Sequence, residues 1–183
     1  MKVIQTSIAG VLIIEPKCFG DPRGVFIETF EVNRYAAAGI ARPFVQDNLS
    51  RSSRGVLRGL HLQNPNPQGK LVNVLHGCIL DVVVDVRVGS PTFGQHLSFE
   101  LNEAKRLQLW APRGFAHGFL VLSDMADVMY KVDAPYCPEN EIVVRWNDPA
   151  LAIDWGIDKP IMSVKDNAAP LLADIKGLPV YEP

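Results

Sequence analysis

The stretch that most restricts the fold is residues 79–88, Ile-Leu-Asp-Val-Val-Val-Asp-Val-Arg-Val. Leu80, Val82, Val84, Val86 and Val88 fall on one side of this run, and Asp81, Asp85 and Arg87 on the other. A period of two belongs to an extended strand, whose successive side chains point to opposite faces of a sheet. Residues 71–75, 96–101, 119–122 and 141–146 are further short strand candidates. Gly89-Ser90-Pro91, Ala111-Pro112-Arg113-Gly114 and Ala134-Pro135-Tyr136-Cys137-Pro138 separate them as turns. Helical signals are sparse. Residues 33–38 fit a short helix stopped by Gly39, and residues 170–176 fit a last one, while Asn102-Glu103-Ala104 reads as a turn. Many short strands at regular spacing predict an all-β sandwich or barrel.

The chain has 183 residues and no long linker or repeat, so one domain over residues 1–183 is expected, with an N-terminal arm and a C-terminal extension. A hydrophobic fraction of 48% suffices for a real core, and a net charge of −2 argues against binding nucleic acid through bulk charge. No apolar run reaches membrane-spanning length, and the first residues lack the pattern of a signal peptide. Cys18, Cys78 and Cys137 are odd in number and widely spaced, which fits a reducing cytoplasm better than a disulfide framework. A jelly roll, two sheets closing on a central cavity, is the economical architecture, and polar residues on its inner faces become candidates for a site.

Five segments carry such residues. In Leu57-Arg58-Gly59-Leu60-His61-Leu62-Gln63, alternation puts Leu57, Gly59, His61 and Gln63 on one face. A half-buried His61 needs a partner, and a carboxylate would orient it as a base; a satisfied structural histidine is the alternative. Arg58 has the opposite parity. Either it points away from His61, or Gly59 marks a bulge that brings the two together. Lys70 opens the next strand, with its ammonium either in water or aimed into the cavity. Tyr130 lies in a strand where packing is the ordinary role, though a phenol can also donate a proton. Asp166 sits in a short polar run, Ser163-Val164-Lys165-Asp166-Asn167, that reads locally as a solvated loop. The fifth segment, Pro112-Arg113-Gly114-Phe115-Ala116-His117, has the Pro-x-Gly-x-x-His spacing of the second motif of the cupin superfamily. The first cupin motif requires His-x-His, and here His61-Leu62-Gln63 stands instead. Too few ligands remain for a metal, so the expectation is none.

Over nearly its whole length the chain resembles the nucleotide-sugar epimerase family typified by dTDP-4-dehydrorhamnose 3,5-epimerase. The ordered matches include Asp21-Pro22-Arg23-Gly24-Val25-Phe26 with Glu28, Phe44-Val45-Gln46-Asp47-Asn48-Leu49-Ser50, Arg58-Gly59-Leu60-His61, Lys70-Leu71-Val72, Pro112-Arg113-Gly114-Phe115-Ala116-His117, Tyr130-Lys131-Val132 and Ser163-Val164-Lys165-Asp166. The resemblance implies a homodimeric cupin jelly roll that works without metal or other cofactor. It implies His61 as base, oriented by Asp166, and Tyr130 as acid. It puts Lys70 and Arg58 close to the sugar and its keto oxygen, with His117 lining the same pocket. Arg23, Phe26, Glu28, Gln46, Asp47, Asn48, Glu141 and Lys165 match positions that hold the nucleotide sugar, those near the N-terminus reaching across the dimer. The implied reaction is epimerisation at C3 and C5 of a dTDP-4-keto-6-deoxy sugar. Alternatives are an epimerase acting at one of these carbons, a metal-dependent cupin enzyme, and a non-catalytic sugar-nucleotide binder.

Overall fold

Valine, isoleucine and leucine recur on both faces of the central strands, so each sheet must be covered twice. The computed structural model, which describes residues 1–182, meets that demand with two facing sheets and an outer cover on each. In chain order the strands are β1 (Lys2–Gln5), β2 (Leu12–Glu15), β3 (Cys18–Asp21), β4 (Gly24–Ile27), β5 (Gln46–Ser53), β6 (Leu57–Gln63) and β7 (Lys70–His76), then β8 (Cys78–Asp85), β9 (His96–Asn102), β10 (Gln108–Ala111), β11 (Phe115–Val121), β12 (Met125–Val132) and β13 (Glu141–Val143). The first sheet runs β1-β2-β10-β7-β12-β5 and the second β13-β6-β11-β8-β9. All named pairs are antiparallel, and β3–β4 forms a separate hairpin joined to neither sheet. This is the expected jelly roll.

Between the sheets lies a core that includes Val72, Val74, Ile79, Val83, Leu109, Phe115, Phe119 and Val128. Outside the second sheet, Leu57, Leu60, Leu62, Val82, Val84 and Val86 pack under the C-terminal segment through Leu151, Trp155 and Leu172. Outside the first, Leu12, Ile14, Leu71 and Trp110 pack against Tyr35 and Ile40 around the first helix. Each fully buried side chain of this kind contributes roughly 1.5–3 kcal/mol.

Several boundaries differ from the sequence reading. The strand expected over 79–88 ends at Asp85, because Asp85 turns the chain: its carboxylate takes hydrogen bonds from Arg87, Ser90 and Thr92. The polar side of that strand faces inward, not to water, and Asp81 and Asp85 are both fully buried. The strand expected over 141–146 stops at Val143. The strand around 119–122 begins earlier, at Phe115. The first helix, α1 (Val32–Ala37), is capped at its start by the Glu31 side chain, which accepts from the Asn33 and Arg34 amides. The expected helix over 170–176 is a single 3-10 turn at Leu172–Asp174. The polar run near Asp166 is not a loop but a second helix, α2 (Val164–Asn167), capped by Ser163. No helix among the described residues is long and apolar enough to cross a membrane.

Candidate active site

The site begins with an irregularity in β6. His117 pairs with His61 and Phe119 with Arg58, so three steps on β6 oppose two on β11. The extra residue is a bulge at Gly59-Leu60, and it resets the alternation. Leu57, Leu60 and Leu62 therefore share the outer core, while His61 and Gln63 line the cavity and Arg58, on their side but exposed and outside the cavity lining, bonds to Ser52 on the facing sheet. The open question of the Arg58 parity is settled: it shares a face with His61. Only glycine fits the bulge. A Cβ at Gly59 would lie 2.6 Å from the Gly118 Cα and 2.8 Å from the His117 carbonyl oxygen, and the residue has a φ of +123°.

The carboxylate that β6 lacks locally comes from α2. His61 Nε2 lies 2.8 Å from Asp166 Oδ1, and the Gly59 amide donates to Asp166 Oδ2 at 3.3 Å. Asp166 is 3% exposed. Burial pushes its carboxyl up, but the His61 hydrogen bond and charge, with the Gly59 amide and the Ser163 cap, hold it below the usual carboxylate value. It is thus an anion that fixes the imidazole from behind while His61 stays partly open.

The opposite wall belongs to the first sheet. Tyr130 on β12 pairs with Asn48 on β5 and Val72 on β7. Its phenol is raised above the ordinary value, chiefly by burial and further by Glu141, against the opposing charge of Arg58, so it remains protonated near neutrality. Lys70 opens β7 on this same sheet, yet its Nζ reaches across to donate to the His61 carbonyl at 3.0 Å. The side chain is 7% exposed residue-wide, and burial lowers it to about 8, against the attraction of Glu141 and Asp81. His61, Lys70 and Tyr130 line one cavity of about 320 Å³, together with Gln46, Asn48, Gln63, Gln68, Tyr136 and Glu141. At its rim Glu141 accepts from Lys165 at 2.5 Å and from the Tyr136 hydroxyl at 3.2 Å.

Not every expected residue meets there. His117 does not line the cavity: it sits beside His61 on β11, 6% exposed, with Nε2 held 2.9 and 3.0 Å from the two oxygens of Asp81. Asp47 has the opposite parity to Gln46 and Asn48 on β5, so it points outward and pairs with Lys131. Arg23 and Phe26 lie on the β3–β4 hairpin, where Arg23 pairs with Asp21 and Phe26 is 70% exposed; Glu28 pairs with Arg34. A hairpin that bonds only to itself has no sheet to carry these residues to the cavity of its own chain. Sequence reasoning missed Gln68 and Tyr136, which lie in turns where no periodicity applies, and Gln63, although its shared parity with His61 was legible. Among the described residues, no three His, Cys, Asp or Glu side chains gather as a ligand set.

A base, a phenol and an ammonium on facing walls suit proton transfer at carbon with charge held on an oxygen. A family model described as dTDP-4-dehydrorhamnose 3,5-epimerase matches residues 5–174. The dTDP-4-dehydrorhamnose 3,5-epimerase of Pseudomonas aeruginosa is 47% identical over 181 residues, covering 98% of this chain and 100% of that protein. The crystal structure of dTDP-6-deoxy-D-glucose-3,5-epimerase from Legionella pneumophila, in complex with dTDP-4-keto-L-rhamnose, superposes with a TM-score of 0.97 at 51% identity, covering 100% and 99% of the two chains. A dTDP-4-dehydrorhamnose 3-epimerase from Streptomyces niveus is 42% identical over 99% of this chain and 90% of its own length. With most of its length matched by the family model and by full-length relatives, this chain belongs to the dTDP-4-dehydrorhamnose 3,5-epimerase family.

Proposed function

We infer that the chain is an isomerase that inverts C3 and C5 of dTDP-4-dehydro-6-deoxy-D-glucose to give dTDP-4-dehydro-L-rhamnose, a step of dTDP-L-rhamnose biosynthesis. The observation that carries the reading is the placement of His61 and Tyr130 on facing sheets around one cavity. The ketone at C4 acidifies the hydrogens on both neighbouring carbons. His61, oriented by Asp166, removes one of them, and the electron pair moves onto O4 as an enolate. Lys70, with Arg58 nearby, holds that developing charge; a contact of this type contributes about 2.7–4 kcal/mol. Tyr130 then delivers a proton to the carbon from the other face of the ring, which inverts the centre. The His61 proton leaves to solvent and the Tyr130 proton is replaced before the second carbon reacts. Carbon keeps its oxidation state throughout, so the step balances without a redox partner.

The active unit is proposed to be a homodimer in the cytoplasm. The self-contained β3–β4 hairpin supports the dimer, because Phe19, Val25 and Phe26 are exposed on it and a second copy would cover them and receive Arg23 and Glu28. The odd count of three cysteines supports a reducing compartment.

Incubation of the enzyme with the dTDP-4-keto-6-deoxy sugar in D₂O tests the reaction. Deuterium at both C3 and C5 is expected. Deuterium at C3 alone favours the second reading, a 3-epimerase, which the Streptomyces niveus relative keeps in view. Tight binding without exchange would leave only a sugar-nucleotide binder.

A further inference from the structure

Asp133 is a buried carboxylate that the proposed reaction does not use. It stands just past the end of β12, with its side chain 2% exposed, and borders a groove with Trp110, Pro112 and Arg113 on the side away from the cavity. Taking an ion out of water is costly unless its partners are well placed. Here each oxygen has one. Oδ2 accepts from Arg113 Nε at 2.9 Å, and the Asp133 carbonyl accepts from Arg113 Nη2 at 3.0 Å. Oδ1 accepts from the Gly69 amide at 2.7 Å. The last bond is the informative one, because the next residue is Lys70.

Lys70 needs an anchor of this kind. It follows the turn Asn64-Pro65-Asn66-Pro67-Gln68-Gly69, and the ladder of β7 starts only at Lys70 itself, opposite Val132 and Ala111. The first residue of a strand is where a ladder frays. Gly69 is clamped to the end of β12 through both of its backbone groups, since its carbonyl also accepts from the Asp133 amide at 3.3 Å. It lies flat against the Trp110 ring, where a Cβ would stand 2.3 Å from Cη2. The neighbouring Gln68 side chain donates to the Ala134 carbonyl at 2.8 Å. A lysine stem is long and flexible, so the 3.0 Å bond from Nζ to the His61 carbonyl persists only if the backbone at its root is held.

We propose that Asp133, locked by Arg113, is a positioning residue: by gripping the Gly69 amide it fixes the start of β7 and so holds the Lys70 ammonium in the wall of the cavity. This rests on the reading that Lys70 meets the charge on O4. Asp133 acts through the backbone. The charges that act on the Lys70 ammonium are Glu141 on β13 and Asp81 on β8, with His61 and Tyr130 beside it in the cavity. A reacting group displaced by about 1 Å can lose roughly 10²-fold in rate, which sets the scale of what the clamp protects.

The test compares Asp133→Ala with Asp133→Asn in the full-length protein. Asparagine keeps an oxygen for the Gly69 amide and loses only the charge that Arg113 pairs with; alanine loses both. Both variants are expected to melt below the wild type, but they part in function. Asp133→Ala is expected to lower kcat roughly 10–10²-fold with KM little changed. Its Lys70 midpoint, followed by NMR of lysine labelled with ¹³C at Cε and assigned with Lys70→Met, is expected to rise from about 8 toward the ordinary value of 10.5 as water reaches the loosened ammonium. Asp133→Asn is expected to keep kcat and the midpoint close to wild type. Wild-type kcat and midpoint in Asp133→Ala overturn the proposal. Equal losses in the two variants also overturn it, since they mark a structural ion pair. If Asp133→Ala does not fold, Arg113→Gln, which unlocks the carboxylate, is expected to shift the midpoint in the same direction, and an unmoved midpoint there overturns the proposal. Wild-type protein without turnover would overturn the functional reading instead; the Lys70 titration needs no substrate and still decides whether Asp133 positions it.

Discussion

In the proposed reaction three side chains, His61, Lys70 and Tyr130, would carry the chemistry, and each is tuned by what surrounds it. Asp166 anchors His61 from a dry position, so His61→Ala removes the base and is expected to cut kcat by at least 10²–10⁴-fold, roughly the contribution of a positioned acid–base group. In the proposed reaction Lys70 would set the pH dependence. Burial lowers it to about 8, so the ammonium proposed to hold the charge on O4 is present at pH 7 and lost above about 8. The kcat/KM profile of the free enzyme is expected to fall on the alkaline side with that midpoint; a profile flat to pH 10 would remove Lys70 from the role. Stability moves the other way. Between about 8 and the ordinary lysine value of 10.5 the unfolded chain holds the Lys70 proton that the folded chain has released, so this group makes the fold more stable as pH rises through that window. Lys70→Met is expected to lose that increment, read as a difference in melting temperature between pH 7 and pH 10.

At the level of elements, the bulge in β6 decides which side chains the site receives. Gly59→Ala would drive a methyl into Gly118 and the His117 carbonyl at a left-handed φ. The expected cost is about 2–6 kcal/mol, the sum of overpacking and backbone strain, measured as a drop in the urea midpoint. The same bulge marks where the sequence stopped being legible. Strand periodicity showed the sandwich and put His61 and Gln63 on one face, but strict alternation turns Arg58 the wrong way, and nothing local says where a strand gains a residue. Asp166 lies 105 positions from His61 and arrives through the packing of the C-terminal segment, which only the family resemblance could supply. The α2 helix was readable in principle: Ser163 three residues before Asp166 is a capping pattern, and the Asp166 amide does donate to Ser163 Oγ at 3.1 Å. Reading that run as a solvated loop overlooked the cap. The buried face of β8 was hidden for a different reason, since aspartates on one side of a strand look solvent-facing until a second sheet covers them.

At the scale of the whole molecule, the proposed reaction uses the two sheets of the jelly roll as the walls that would meet the two faces of a sugar ring. The proposed dimer extends this logic to the β3–β4 hairpin, whose Arg23 would serve the cavity of the partner. Mixing Arg23→Ala with His61→Ala protein and allowing subunits to exchange would then rebuild one intact site per mixed dimer. Recovery toward about a quarter of wild-type activity is expected, and no recovery would keep Arg23 within its own chain. The central claim is that base and acid stand on opposite walls, and proton exchange in D₂O with single variants tests it most directly. Tyr130→Phe is expected to let deuterium enter the sugar without inversion, because His61 can still remove and return a proton on its own side, while His61→Asn admits no deuterium. Loss of exchange in Tyr130→Phe as complete as in His61→Asn, or continued exchange in His61→Asn, would contradict the account.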